Sequence, residues 1–299
     1  MNAAELSTNF VTITEDALAR VRATQGALFH KTMGIDAQKV AEDTLDPARP
    51  QEMADVLQEY VPLAGKVLEI GSGCGVTHIL WRRKYHVDAW GVEPEGEGFD
   101  DSAAIARELI AVNGLDPTRI VNATGEALPF PENTFDIVYS TNVLEHVHDP
   151  AQVLREAVRV LKPGGTMQIV VPNYLSYFDG HYAVFHPPIF SNAFFCWWVK
   201  NIYGKDPGFA ATIRTQVNPV WVRRQLRDIQ RTTPLRIHTL GEAKFLERMT
   251  NVDVGRWMAL HVLGRVVKFA KALRLNRLAA RIVIALQGWN PLIITATKL

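Results

Sequence analysis

Two acids and three alternating glycines give the chain its first chemical signal. Val67, Leu68 and Ile70 make a short apolar run suited to a strand buried on both faces. Glu69, near the end of that run, can take a ligand ammonium or brace the loop that follows. Gly71, Gly73 and Gly75 then permit a turn too tight for side chains, against which a ligand can lie on bare backbone. Because 78–84 reads as helix, the turn presents amide hydrogens at a helix N-terminus. The spacing leaves two readings open. A pyrophosphate-binding Gly-x-Gly-x-x-Gly turn needs a glycine where Val76 stands, and a glycine-rich turn can also hold nothing. Glu93 closes the next strand about twenty residues on, where an α/β nucleotide site accepts hydrogen bonds from ribose hydroxyls. A solvated strand end is the plain alternative, and the register with the glycines favours the site.

A second chemical group lies downstream. The segment 172–188 holds Tyr174, Tyr177, His181, Tyr182 and His186, and is too polar and aromatic for a core helix. His181 is the candidate general base, with His146 and His186 behind it. Tyr174, Tyr177, Tyr182 and His186 are candidate substrate contacts. A surface histidine, or a His146 that only braces its loop, is the competing reading. The apolar run 193–203, with Phe194, Phe195, Trp197, Trp198 and Tyr203, reads as a cap helix or as the wall of an apolar pocket.

Strands and helices must alternate to place these groups. Strands are expected at 67–70, 89–92, 119–123, 135–140 and 167–171, with helices at 78–84, 102–113 and from Asp149-Pro150 to Leu161. Lys162-Pro163-Gly164-Gly165 stops the last of these. Short joints between alternating elements imply an α/β doubly wound parallel sheet, whose carboxyl ends line the ligand crevice. Thr124, Gly125 and Glu126 follow the third strand and could meet a base ring. Thr141-Asn142-Val143-Leu144-Glu145-His146 leaves the fourth. Residues 14–60 read as helices, Thr14 capping the first, that pack beside the glycine strand or over its pocket.

Six segments, in order and at matching spacing, resemble the class I S-adenosylmethionine-dependent methyltransferases of the small-molecule group. They are 67–75, Glu93, Gly-Glu-Ala-Leu-Pro-Phe-Pro at 125–131, Phe-Asp-Ile-Val at 135–138, Leu-Glu-His-Val at 144–147 and Arg-Val-Leu-Lys-Pro-Gly-Gly at 159–165. The resemblance covers 66–173 and implies S-adenosylmethionine as cofactor. It implies that Gly71, Gly73 and Gly75 hold the methionine part with Glu69 near its amino group, and that Glu93 binds the ribose diol. It further implies that Thr124, Gly125 and Glu126 frame the adenine, and that Asn142 faces the methionine end. The family often has Asp where Thr124 stands; Thr accepts without charge, and Glu126 could substitute. The implied fold is a Rossmann-like seven-stranded sheet of order 3-2-1-4-5-7-6, its last strand, 292–297, antiparallel between strands five and six (235–240). Helical caps at 1–60 and 241–290 flank a core at 61–173, a substrate-side insertion at 174–218 and a C-terminal completion at 219–299.

Composition narrows the function. The chain has 299 residues, 47% of them apolar, enough for a large core. Its two cysteines, Cys74 and Cys196, have no metal-ligand spacing and favour a reducing compartment, and no metal is expected. With no secretory signal or membrane-length apolar run, a cytoplasmic protein is expected. The net charge of +1 hides an asymmetry: eight basic residues and no acid follow Asp253, which leaves −7 for the rest. Within 256–286, basic amphipathic stretches at 260–273 and 274–286 read as ordinary cap helices or as a contact for the anionic inner face of a membrane. Ser-Thr-Asn-Val at 140–143 replaces the Asn/Asp-Pro-Pro-Tyr motif of nucleic-acid amino methylation, so no nucleic-acid substrate is expected. The expected activity is methyl transfer to a small-molecule, lipid or glycan-linked acceptor, at oxygen in preference to nitrogen. N-methylation of a small amine and cofactor binding without turnover stay open, and nucleotide-dependent oxidoreduction conflicts with the glycine spacing.

Overall fold

The computed structural model describes residues 1–96, 101–189, 191–250 and 275–299. Its strands are β1 (Lys66–Ile70), β2 (Asp88–Val92), β3 (Ile120–Val121), β4 (Phe135–Thr141), β5 (Leu161–Val171), β6 (Phe178–Asp179), β7 (Val184–Phe185), β8 (Leu235–Thr239) and β9 (Leu292–Lys298). Seven of them form one sheet in the order β3-β2-β1-β4-β5-β9-β8, while β6 and β7 pair as a separate antiparallel ribbon. Counting only the sheet's own strands, the order is the expected 3-2-1-4-5-7-6. β1 runs parallel to β2 and β4, and β9 is antiparallel to both β5 and β8.

Burial on both faces explains the unbroken apolar runs. Val67, Ile137 and Tyr139 pack with Ile79, Trp81, Ile105 and Leu109 on one side. Leu68, Ile70 and Val138 pack with Leu154, Ala157, Val222 and Leu226 on the other. A strand covered by helices on both faces has no polar side to alternate with. Leu68 is fully buried, and cutting it to Ala would cost roughly 2–5 kcal/mol. The helix ends follow from their caps. The Asp149 carboxylate accepts from the amides of Ala151 (2.9 Å) and Gln152 (3.0 Å) at the start of Pro150–Val160, and Thr14 caps Glu15–Val21 through Ala17.

Three local differences from the sequence expectation have physical reasons. The third strand shrinks from 119–123 to two residues, because an Asp116-capped 3-10 turn takes Pro117–Arg119 and β3 is an edge paired only to Gly91 and Val92. β5 begins early, at Leu161 opposite Phe135. The 162–165 stop then bows out, Gly164 taking φ +81, before the register resumes at Ile137 and Thr166. At the C-terminus, helices Glu242–Thr250 and Asn276–Ala285 lie against the sheet's second face. The latter buries Ala280 and packs Val283 and Ile284 inward, leaving Leu278 and Ile282 exposed, although a cap helix was expected to bury them. The stretch 260–273, with Arg265, Lys268 and Lys271, lies outside the described residues, as do Arg256 and Arg274.

Candidate active site

The glycine turn and Glu93 hold each other. Gly71 and Ser72 donate their amides to the Val92 carbonyl (2.9 and 3.1 Å), tying the turn to the end of β2. The Gly73 amide donates to Glu93 Oε2 at 2.9 Å. Gly71, Gly73 and Gly75 have φ of +75, +49 and +78, a region costly to residues with a Cβ. A Cβ on Gly71 would fall 2.2 Å from Val143 Cγ2, so the chain leaving β4 lies directly on the turn. Over Gly73, by contrast, no atom of the described residues other than its chain neighbours lies within 4 Å of where a Cβ would sit. The turn is open on that side.

Both acids are buried beside that opening, Glu69 being 6% and Glu93 7% exposed. Burial pushes Glu69 up to about 8; Thr77 opposes the shift and the charge on Glu93 adds to it. Burial also pushes Glu93 up to about 7, against the pull of the Gly73 amide. Glu69 Oε2 has no hydrogen-bond partner among the described residues. An orphaned carboxylate oxygen, a second buried acid and an uncovered amide turn fit a ligand that carries an ammonium and a hydroxyl pair.

The remaining cofactor-side residues are arranged around this cradle. Gly125 is buried where a Cβ would meet Ile70 Cγ2 at 2.9 Å, so the loop after β3 lies on the end of β1 with Thr124 half-buried beside it. Glu126 faces elsewhere. Its Oε1 accepts from the amides of His148 (2.8 Å) and Asp149 (3.3 Å), bracing the loop into Pro150–Val160 and leaving little to substitute for Thr124. Asn142 is exposed at the end of β4 with φ +54, its amide bonded to the Val170 carbonyl. The N-terminal helices reach the pocket: Gln25 Nε2 donates to Ser102 (2.9 Å) and lies 3.9 Å from Cys74 Sγ, and Arg20 bridges Asp101 and Glu108 (2.7 Å).

A second polar cluster forms where the β4 exit meets the ribbon. Glu145 is fully buried and, among the described residues, neither carboxylate oxygen has a hydrogen-bond partner. The Nε2 atoms of His146 and His181 each stand 3.8 Å from Glu145 Oε1, too far for a hydrogen bond. On its other side, His181 Nδ1 meets Asp179 Oδ2 at 3.1 Å, while Asp179 Oδ1 accepts from the Tyr182 amide. Burial lowers the His181 pKa, but Asp179 and Glu145 outweigh it and the net shift is upward. The rings of His146 and His181 lie edge to face at 5.2 Å, with Phe209 over both and Phe29 of the N-terminal helices against Phe209.

Residues 68–169 match the family model described as a methyltransferase domain. An uncharacterised methyltransferase of Mycobacterium sp. (strain KMS) is 32% identical over 142 residues, 48% of this chain and 52% of that protein. Ajmaline N-methyltransferase of Rauvolfia serpentina is 33% identical over 106 residues, 35% of either chain. Among solved structures, a putative sarcosine dimethylglycine methyltransferase from Galdieria sulphuraria is 15% identical with TM-score 0.48, over 88% of this chain and 86% of that one. Residues 68–169 are a class I S-adenosylmethionine-dependent methyltransferase domain. This chain spans about half the length of the first relatives it matches, and the family-model match, 68–169, ends before the ribbon.

Outside the methyltransferase domain the structure gathers some expected residues and separates others. His146 of the domain meets His181 of the insertion. The Tyr174 hydroxyl and His186 Nε2 are buried without hydrogen-bond partners among the described residues, and Tyr177 is half-buried. Tyr182 is engaged otherwise: its hydroxyl donates to the Asp206 carbonyl (2.8 Å) and accepts from the Ala210 amide (2.9 Å), fastening the insertion. Phe195 and Val199 fill the insertion's own core while Trp197 stays exposed. Glu145 and Asp179 are site residues that sequence reasoning did not single out; their signals were an acid inside Leu-Glu-His and the spacing Asp-x-His. A surface cleft of about 730 Å³ lined by Arg223, Arg227, His238 and Glu242 opens at the β8 edge, away from these groups.

Proposed function

We propose that this protein transfers a methyl group from S-adenosylmethionine to a hydroxyl of a small-molecule, lipid or glycan-linked acceptor. The observation that carries the reading is the opening over Gly73, flanked by the buried carboxylates of Glu69 and Glu93. When bound, the cofactor supplies an activated methyl on a sulfonium sulfur. Glu69 Oε2 would receive the ammonium, and Glu93 would accept from the ribose hydroxyls while one of its oxygens stays on Gly73. Gln25, Phe29 and Phe209 would keep water out, so that the chain's main contribution is placement along the line of displacement. The chain's own part in the transfer would be to draw the hydroxyl proton off toward water beside the Glu145–His146–His181 cluster. That cluster supports oxygen over nitrogen, because a neutral amine needs no group to draw off its proton before attack. Screening acceptor extracts with isotopically labelled methyl donor tests the reading: label in base-insensitive ether linkages supports it, and label only on amines or in base-labile esters refutes the hydroxyl assignment.

A second reading concerns location. We propose that the basic C-terminal segment lies on an anionic membrane surface. On Asn276–Ala285 the exposed half carries Arg277 and Arg281 beside Leu278 and Ile282, which are 56% and 52% exposed. Apolar groups bordered by cations suit the boundary between lipid headgroups and acyl chains. Among the described residues no helix is long and apolar enough to cross a membrane. Flotation with and without anionic lipid tests it; binding that ignores anionic lipid refutes it.

A further inference from the structure

We infer that Glu145, His146 and His181 form a binding site for one divalent first-row transition-metal ion, whose open positions take the acceptor's oxygen. The inference rests on the methyl-transfer reading only for that last clause. Among the described residues these three are the one group whose ligand atoms could hold an ion, all within 4.8 Å of one another. Ligand atoms bound at about 2.0–2.2 Å stand roughly 3.3 Å apart at tetrahedral angles, so the 3.8 Å spacings from Glu145 Oε1 need only a rotamer-scale contraction.

The chemistry of the facing atoms argues for a cation between them. The Asp179 carboxylate accepts the proton on His181 Nδ1, which leaves the Nε2 lone pair directed at Glu145. Glu145 answers with a carboxylate that has no donor on either oxygen. Lone pairs from an imidazole and a buried carboxylate converging on one point repel unless something positive sits there. An acid holding the far nitrogen of a ligand histidine is also the usual outer support of a metal site, fixing tautomer and ring plane. Tyr182 pins Asp179 through its amide, so that support is itself held by the ribbon. The ion can enter, since the His146 and His181 side chains are 20% and 13% exposed while Glu145 is sealed beneath them. Two imidazoles and one carboxylate suit Zn²⁺, Fe²⁺, Co²⁺ or Mn²⁺ better than Mg²⁺ or Ca²⁺, which want oxygen donors throughout. Three protein ligands leave room for the acceptor, whose bound hydroxyl would release its proton to water more readily and present an oxygen anion to the methyl carbon. The competing arrangement is a protonated His181 that holds Glu145 by charge alone.

The test uses the full chain after dialysis against chelator, titrated with Co²⁺ in the visible and with Zn²⁺ and Mn²⁺ by calorimetry, with S-adenosylmethionine titrated in parallel. The expected result is one ion per chain with the ligand-field bands of mixed nitrogen and oxygen ligation. Asp179→Asn should weaken the ion roughly 10–100-fold with cofactor affinity unchanged, and His146→Asn and Glu145→Gln should weaken it further. His146 is partly exposed, which keeps the test valid should the Glu145 variant misfold. A chain that binds cofactor but no ion overturns the site and leaves the methyl-transfer reading intact. An ion bound equally by wild type and His146→Asn overturns it too, because the ligands would lie elsewhere. An ion bound by a chain that takes no cofactor leaves the site standing and removes the methyl-transfer reading.

Discussion

Cofactor affinity should fall steeply as pH drops from 8 to 6. Glu69, at about 8, and Glu93, at about 7, are both raised by burial, yet each must be ionised to receive an ammonium or a hydroxyl pair. From pH 8 to 6 the ionised fraction of Glu69 drops from about one half to about one hundredth, and that of Glu93 from about nine tenths to about one tenth. If both must be charged in the complex, affinity falls roughly 500-fold, near 3.7 kcal/mol; if only Glu93 must be, it falls roughly tenfold. Calorimetry in buffers of different ionisation enthalpy reads this directly, because binding at pH 7 should release protons to the buffer. Glu93→Gln should remove its share of the pH slope and of the released protons, and Glu69→Gln the other share. The same shifts fix the sign for the free protein. The fold holds protons between about pH 4.5 and 8 that the unfolded chain has lost, so ligand-free stability declines as pH rises through that window, and bound cofactor offsets the decline. Affinity that stays flat from pH 6 to 8, with no proton release, would refute the placement of both acids.

Other outcomes follow from named contacts. Gly73→Ala should lower thermal stability by only about 1–2 kcal/mol of left-handed strain, since its Cβ meets no atom of the described residues beyond its chain neighbours, yet should abolish detectable cofactor binding; equal affinity in the variant would mean the opening is not the cradle. Gly71→Ala adds the clash with Val143 and should destabilise the fold clearly more than Gly73→Ala, as denaturant titration would show. Cys74 is buried with its thiol pushed up to about 12, whereas Cys196 is partly exposed; a thiol reagent should label Cys196 alone in the native protein, and fast labelling of Cys74 would mean the N-terminal helices do not cover the turn. Arg277→Glu with Arg281→Glu should abolish flotation with anionic vesicles without changing turnover of a water-soluble acceptor, and flotation that persists would exclude this helix as the contact.

What the sequence made legible is what backbone chemistry dictates locally. The glycine turn, Glu93 and the helix starts at Thr14 and Asp149 each need a residue type at one position, so composition and spacing expose them. The seventh strand's antiparallel place was carried by the resemblance, since nothing in 292–297 alone distinguishes its direction. The second cluster was not legible because it is made by tertiary contact. Glu145 follows a strand, and Asp179 and His181 lie on a ribbon whose two-residue strands are too short to show a period. Cysteine spacing carries no trace of such a cluster, because its acid and imidazole atoms come together only in the fold. Tyr182 read as a substrate contact because an aromatic hydroxyl near the active edge looks the same in sequence whether it faces a ligand or, as here, Asp206 and Ala210. The exposure of Leu278 and Ile282 was hidden for a related reason: periodicity names an apolar side, but neighbours decide which side is covered.

The central claim is that a nucleoside sulfonium lies between the 71–75 turn and Glu93, and a crystal grown with S-adenosylhomocysteine tests it most directly. Both ribose hydroxyls should lie within hydrogen-bond distance of the Glu93 carboxylate, with the amino group on Glu69 and the sulfur facing the His146–His181 side. Density for the nucleoside elsewhere, or a turn that binds nothing at saturating ligand, would contradict it.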